Sequence, residues 1–573
     1  MKADTVFVRG RLWTADDRVA ATALAVVGER IVCVGSDEEV MRWVGDHTRV
    51  VDLAGRMMIP GFHDGHCHYT LAADEHCGIN LKGLQSAEAC LAAIQQKLVS
   101  RPDAPFLRGG GFLEALFPDT GPRKEWLDAL SSEMPIAIAA DTYHSLWVNS
   151  AALALAGITA ETPDPHNGRI ERDADGSPSG CLRETAQALV LDRLPDWPVE
   201  EYKAAIVAFQ QTAHTLGLVA ACDPWLDIHG RNAVQALREL DSEGKLAMHL
   251  RGAYLADPAQ GVEQCAALLA RCQQDNPPLD ATHDPHFRVS AIKFFCDGIF
   301  ETKTARMLHP YAAAAEKGAE YYGEQNWEAG RMKALFAALD KAQMQIHVHC
   351  IGDGAVRQTL DALAFARSQN GARDARHCIA HATACAPEDM PRFRQLDVTV
   401  MLNTFWAERD ETWLMIAPWV GAEIAEHYLY PVKSFFDAGV RVTNASDYPV
   451  TPWPNPLIGI ETAVTRQPAD NYHPWVFDYD NPVHHHAPWP EERAGVEPML
   501  LACTLNQAVA NFMEEFTGSL SVGKYADLVI LDRDLLPLAP AEIGAVGVVQ
   551  TWFKGRCVYT RPAPHQRSDS HGR

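Results

Sequence analysis

From residue 57 onward the chain alternates eight short apolar runs with stretches of helical periodicity between most of them. The apolar runs fall at 58–68, 218–223, 246–254, 289–297, 345–352, 377–382, 398–404 and 441–446. Amphipathic helical periods lie between most of them, at 231–243, 262–274, 327–342, 356–369 and 432–438. Regular alternation of this kind over about 450 residues predicts a parallel sheet closed into a (β/α)8 TIM-like barrel. A barrel also decides where chemistry is sought, because its strand ends converge on one mouth.

Two parts of the chain do not follow the repeat. The first fifty-odd residues alternate β-rich pieces with turns, and the same texture returns at 527–531 and 548–559. Neither end can build a core alone, so residues 1–56 and 515–562 are expected to pair into one small β-sandwich. That leaves 57–514 as the barrel, with an insertion at about 70–200 that is too long for an ordinary loop. The tail at 563–573 is expected to be disordered.

Composition narrows the partners. Of 573 residues, 50 are Lys or Arg and 74 are Asp or Glu, a formal charge of −24 with no basic block. This opposes nucleic acid and anionic membrane as partners. No apolar run approaches the roughly 20 residues of a membrane span, and Arg9 and Arg11 interrupt the first apolar stretch, which predicts a cytoplasmic protein. The 14 cysteines include no Cys-x-x-Cys pair, which argues against a disulfide framework and a thiolate zinc site.

The strongest local motif is Pro60-Gly61-Phe62-His63-Asp64-Gly65-His66-Cys67-His68. On a strand, His66 and His68 would leave the same face and could grip one ion; alone, they could equally be two hydrogen-bonded histidines at a loop mouth. His349 closes the fifth apolar run, His381 the sixth, and Asp447 follows the eighth. Lys293 lies in the fourth, apolar on both sides. A lysine there is either paired with a carboxylate such as Asp297, or carries a depressed pKa that lets its amine add carbon dioxide.

Together these pieces resemble the amidohydrolase superfamily of metal-dependent hydrolases, and within it the YtcJ-like branch that includes N-substituted formamide deformylase. The matching segments are 60–68, Lys293-Phe294-Phe295-Cys296-Asp297-Gly298 with Thr304-Ala305, and His349-Cys350-Ile351-Gly352-Asp353. They continue with 377–381 and Pro387-Glu388-Asp389, Ser446-Asp447-Tyr448-Pro449-Val450 with Asn455-Pro456, and 518–528. The branch also resembles this chain in the insertion, at His144-Ser145-Leu146-Trp147-Val148-Asn149-Ser150 and at Asp164-Pro165 with Gly168. Gly354 departs from the larger side chain that relatives often carry, and Phe300-Glu301 resembles the deformylase-like subgroup rather than the wider branch.

The resemblance implies His66 and His68 on a more buried ion, His349 and His381 on a more exposed one, Lys293 as a carboxylated bridge, and Asp447 as ligand and proton carrier. Two zinc ions suit such donors, and iron or manganese would also fit. The implied activity is hydrolysis of a non-peptide carbon-nitrogen bond in a small-molecule amide, such as an N-substituted formamide or N-acyl amine, by metal-activated hydroxide. His144, Asp297, Glu301 and Trp406 are candidate substrate contacts. Each of the first three has a plain structural alternative: an insertion hydrogen bond, a strand-end cap and a solvated loop charge. Aromatic residues after the seventh and eighth runs, among them Trp413, Trp475 and Phe477, suit the walls of a pocket and also suit a packed surface excursion. The run His484-His485-His486, flanked by Pro482, Pro488 and Pro490, reads as a surface feature. The alternatives kept open are a mononuclear deaminase and a metal-containing small-molecule-binding protein, and a homodimer is compatible with the family resemblance.

Overall fold

The computed structural model describes residues 2–16, 21–276, 286–313, 318, 320–476 and 478–562. Phe477 and the tail at 563–573 lie outside the described residues. Eight parallel strands form one sheet in sequence order: Phe62–Asp64, Leu218–Asp223, His249–Leu255, Phe287–Phe295, Gln345–Cys350, Cys378–His381, Thr399–Leu402 and Val442–Asn444. The last returns to the first through backbone bonds at the mouth, Gly65 N–H to Asn444 O at 3.1 Å and Asp447 N–H to His66 O at 2.7 Å, so the barrel is nearly closed.

The local chemistry explains these elements. Leu218–Asp223 is buried at every position, as a strand covered on both faces requires. Asp353–Asn370 buries Val356, Leu360 and Leu363, three residues on one helical face, against the barrel. It starts three residues earlier than its apolar period, because Asp353 is buried at its first turn and accepts from Leu308 N–H at 2.7 Å.

The first apolar run, 58–68, is not one strand. Met57–Pro60 pairs antiparallel with Leu528–Leu531 in a five-stranded sheet, and only Phe62–Asp64 enters the barrel. The chain changes sheet at Gly61, where an added Cβ would lie 2.4 Å from Val219 Cγ2. His66 and His68 therefore sit beyond the strand rather than on it, which corrects the alternation argument made for them.

Two further sheets come from the chain ends. One holds Arg30–Gly35, Ala23–Val27, Thr5–Val8 and Arg49–Asp52; the other holds Arg11–Leu12, Met57–Pro60, Leu528–Leu531, Val548–Phe553 and Arg556–Thr560. Phe7, Leu24 and Ile31 of the first share a buried cluster with Met58, Ile530 and Trp552 of the second. Between the first two barrel strands the chain makes a six-stranded sheet, ordered Gly168–Arg172, Pro178–Glu184, Ser145–Val148, Ile136–Ala140, Leu107–Phe112 and Ile79–Asn80. Phe112, Ile138 and Trp147 lie in a separate apolar cluster of this sheet.

Candidate metal centre and active site

The residues after the first and eighth barrel strands are tied together. Asp64 accepts from the Ser446 N–H at 3.0 Å, the Ser446 hydroxyl at 2.5 Å and the His66 N–H at 3.3 Å. His381 and Asp447 both take left-handed backbone conformations, with φ of 72° and 56°. Such conformations cost of order 1–3 kcal/mol in non-glycine residues and concentrate at functional sites. Here they turn two side chains into the barrel mouth.

Asp447 Oδ1 lies 3.3 Å from His66 Nε2 and 3.2 Å from His68 Nε2. His66, His381 and Asp447, all buried, offer ligand atoms within 4.8 Å of one another. The His349 ring stands 4.6 Å from that of His381, centroid to centroid. The other nitrogens of three of these rings are anchored by close contacts, and that of His68 stands near a carboxylate. His66 Nδ1 meets His347 Nε2 at 2.9 Å, His381 Nδ1 meets Asn403 Oδ1 at 2.7 Å, His349 Nε2 meets Gly298 O at 3.1 Å, and His68 Nδ1 lies 3.5 Å from Asp223. The Asn403 amide donates to Ala445 O at 3.2 Å, which turns its oxygen toward His381. His381 Nδ1 is then the donor, and its Nε2 lone pair is left for a ligand.

Electrostatics match this arrangement. Burial, reinforced by Lys293 and neighbouring histidines, holds His66 and His349 well below the ordinary imidazole range, and burial takes His381 down to about 4. Neutral imidazole is the form that binds a cation. Burial pushes Asp447 up, but His66 and His68 prevail and hold it well below the usual carboxylate range. His68 is pushed up to about 9 despite its burial, by Asp223 and Asp447. Positive charge is favoured where these two carboxylates meet.

Lys293 is fully buried and its Nζ has no hydrogen-bond partner, and burial brings its pKa down to about 8. It is not paired with Asp297, the carboxylate considered for it from the sequence. Asp297 instead accepts backbone N–H groups from Arg306 at 2.8 Å, Ile351 at 3.0 Å and Gly352 at 2.9 Å, the strand-end cap that was its alternative. An orphaned lysine nitrogen, an ionised Asp447 oxygen facing two imidazoles and several neutral imidazoles form a donor set that fits a divalent cation.

The remaining candidates surround this cluster. The His144 ring is 5.5 Å from that of His349, and its Nδ1 lies 2.7 Å from Glu184 Oε2. Glu184, which the sequence did not point to, also accepts the Thr302 and Thr304 hydroxyls at 2.9 and 2.7 Å. Trp406 lies parallel to His381 at 5.9 Å and donates to Thr451 at 3.1 Å. A cavity opens over His349, His381 and Asp447, walled by Trp406, Trp413 and Trp475, with Glu301 in its lining. His484 is buried and contacts Arg409 O at 2.7 Å, so only His485 and His486 of that run are surface residues. Among the described residues, no helix is long and apolar enough to cross a membrane.

A model of the "Amidohydrolase family" matches residues 49–559. N-substituted formamide deformylase of Arthrobacter pascens is 27% identical over 575 residues, covering 97% of this chain and 98% of that one. The exoenzymes regulatory protein AepA of Pectobacterium carotovorum subsp. carotovorum is 30% identical over 456 residues, covering 77% and 94%. Among solved structures, an uncharacterized metal-dependent hydrolase from Pyrococcus horikoshii OT3 superposes with a TM-score of 0.71 at 19% identity, covering 94% of this chain and 99% of that one.

Proposed function

The chain belongs to the amidohydrolase family, and from that premise we propose that it hydrolyses a non-peptide carbon-nitrogen bond in a small-molecule amide, such as an N-substituted formamide or N-acyl amine. The observation that carries this reading is the convergence of His66, His381 and Asp447 beside an orphaned, buried Lys293. His66 and His68 would hold a deeper cation and His349 and His381 an outer one, with zinc the best match to imidazole and carboxylate donors and iron or manganese next. A bound cation there lowers the pKa of water toward neutrality and polarises the substrate carbonyl.

The chain's own residues supply the rest. With its pKa near 8, Lys293 has an appreciable neutral fraction at physiological pH. That amine can add carbon dioxide, releasing a proton and becoming a carboxylate ligand. Asp447, held ionised, takes the proton of the attacking water and returns it to the departing nitrogen. His144, oriented by Glu184, reaches the same cavity from the insertion and can hydrogen-bond the substrate. Trp406, Trp413 and Trp475 receive an apolar or aromatic substituent and exclude water.

A second reading, a mononuclear enzyme of the deaminase type, is favoured by one observation: among the described residues only the triad of His66, His381 and Asp447 meets ligand spacing. Metal content separates the two. Inductively coupled plasma mass spectrometry on protein purified without chelator or metal-binding tag should give about two ions per chain for the lysine-bridged pair. One ion selects the mononuclear reading. No metal after growth in zinc-, iron- and manganese-supplemented medium, together with no turnover of an amide panel, overturns both.

A further inference from the structure

The cavity above His381 and Asp447 has a second group of acids in its lining, Asp141, Glu301 and Asp410. Asp141 and Asp410 are only 8% and 6% exposed. Each uses one oxygen on a nearby backbone amide, Thr142 N–H to Asp141 Oδ1 at 3.0 Å and Trp413 N–H to Asp410 Oδ1 at 2.7 Å. The other oxygen of each receives no hydrogen bond among the described residues, and both side chains border the cavity.

The nearby cations each pair most closely with another carboxylate, although Lys82 also feels Asp141 and His144 also feels Glu301. Lys82 pairs with Glu75, Arg183 with Glu114, Arg409 with Glu426, and His144 with Glu184. Unpaired carboxylates in a desolvated cavity repel one another, and the fully ionised set is costly unless a cation joins it. Burial pushes Glu301 and Asp410 up to about 7; like-charged neighbours add to the effect, while His144 opposes it at Glu301. Three indoles, Trp406, Trp413 and Trp475, line the same space. Indole faces attract weakly hydrated organic cations. A metal ion suits the spot poorly, since among the described residues these three acids do not come within ligand distance of one another.

We propose that Asp141, Glu301 and Asp410, with the tryptophan walls, form a subsite for an organic cation, so that the amide this enzyme takes carries an ammonium, amidinium or guanidinium group away from the scissile bond. This rests on the hydrolase reading and adds the charge of the substrate to it.

Calorimetric titration of the metal-bearing enzyme at pH 7.5 with benzamidinium and its neutral isostere benzamide tests the subsite without requiring turnover. Benzamidinium should bind at least tenfold more tightly, and the double variant Asp141→Asn/Asp410→Asn should shrink that preference about tenfold. Glu301→Gln gives the same readout should the double variant fail to fold. Equal affinity for the two probes, or no binding of benzamidinium, overturns the subsite. Turnover is scored separately on N-acyl amines with and without a terminal ammonium. Hydrolysis of both with no preference for the cation also overturns the subsite and leaves the hydrolase intact. Cation binding with no hydrolysis of any amide supports the subsite and counts against the hydrolase.

Discussion

Lys293 and Asp447 make the sharpest claims at the level of single residues: Lys293 is buried with an Nζ that lacks a hydrogen-bond partner, and Asp447 is buried between His66 and His68. Asp447→Asn keeps the shape and removes the proton acceptor. Turnover of any amide substrate should fall by about 10²–10⁴-fold; retained turnover would remove Asp447 from the chemistry. Lys293→Met separates two roles. It should lower bound metal per chain, measured by mass spectrometry, yet raise the melting temperature of chelator-treated protein, because an unpaired buried ammonium costs free energy. A lower melting temperature in the stripped variant would show that Lys293 is structurally satisfied. His66, His68, His349 and His381 stood out in the sequence as candidates because each lies at or near the end of an apolar run. His347, Asn403 and Glu184 were not, since their roles depend on which neighbouring strand or insertion residue faces them, and local pattern carries no such information.

At the level of elements, the sequence located most strands and helices but not the division of the first run. Periodicity alone cannot separate Met57–Pro60 from Phe62–Asp64, because both are fully buried and apolar residues occur in each. Only the pairing partners assign them to different sheets. The insertion was visible as excess length, while its six-stranded order depends on long-range pairing. Within it, Asn149 joins three elements. Its oxygen accepts from Ala152 N–H, capping Ser150–Ala156, and from Ile136 N–H, both at 3.0 Å, while its amide donates to Ser131 O and Met134 O at 2.9 and 2.8 Å. Asn149→Ala removes the cap and strands buried backbone groups, a loss on the order of 3 kcal/mol. Urea denaturation should show the midpoint shift; a change under about 0.5 kcal/mol would mean that water replaces the amide.

Across the whole molecule, the barrel was legible because its strands pair in chain order, so a one-dimensional repeat becomes a nearly closed parallel sheet in which each strand lies beside the next barrel strand. The distribution of charge through that fold sets its response to pH, and two groups act with opposite sign. Asp74 joins the insertion to the barrel side through Arg108 at 3.2 Å, Trp197 at 2.6 Å and His229 at 2.8 Å. Burial opposes its ionisation, but His229 and Arg108 hold it well below the usual carboxylate range. A depressed folded pKa gives stability that is present above the unfolded value, near 3.8, and is lost as pH falls below it. Asp410 and Glu301, raised to about 7 by burial, do the reverse. Between about 4 and 7 the folded chain keeps protons that the unfolded chain releases, so stability rises as pH falls through that window. The buried, depressed histidines lose stability over part of the same range, so the contribution of Asp410 and Glu301 is read as a difference: the melting temperature of the wild type relative to Asp410→Asn/Glu301→Gln should climb as pH drops from 8 to about 5. The acid decline below about 4 should be common to both proteins, since Asp74 is untouched. Melting curves of the two proteins at matched ionic strength make the comparison, and parallel profiles from pH 8 to 5 would show that these two carboxyls are ionised in the folded state without a ligand.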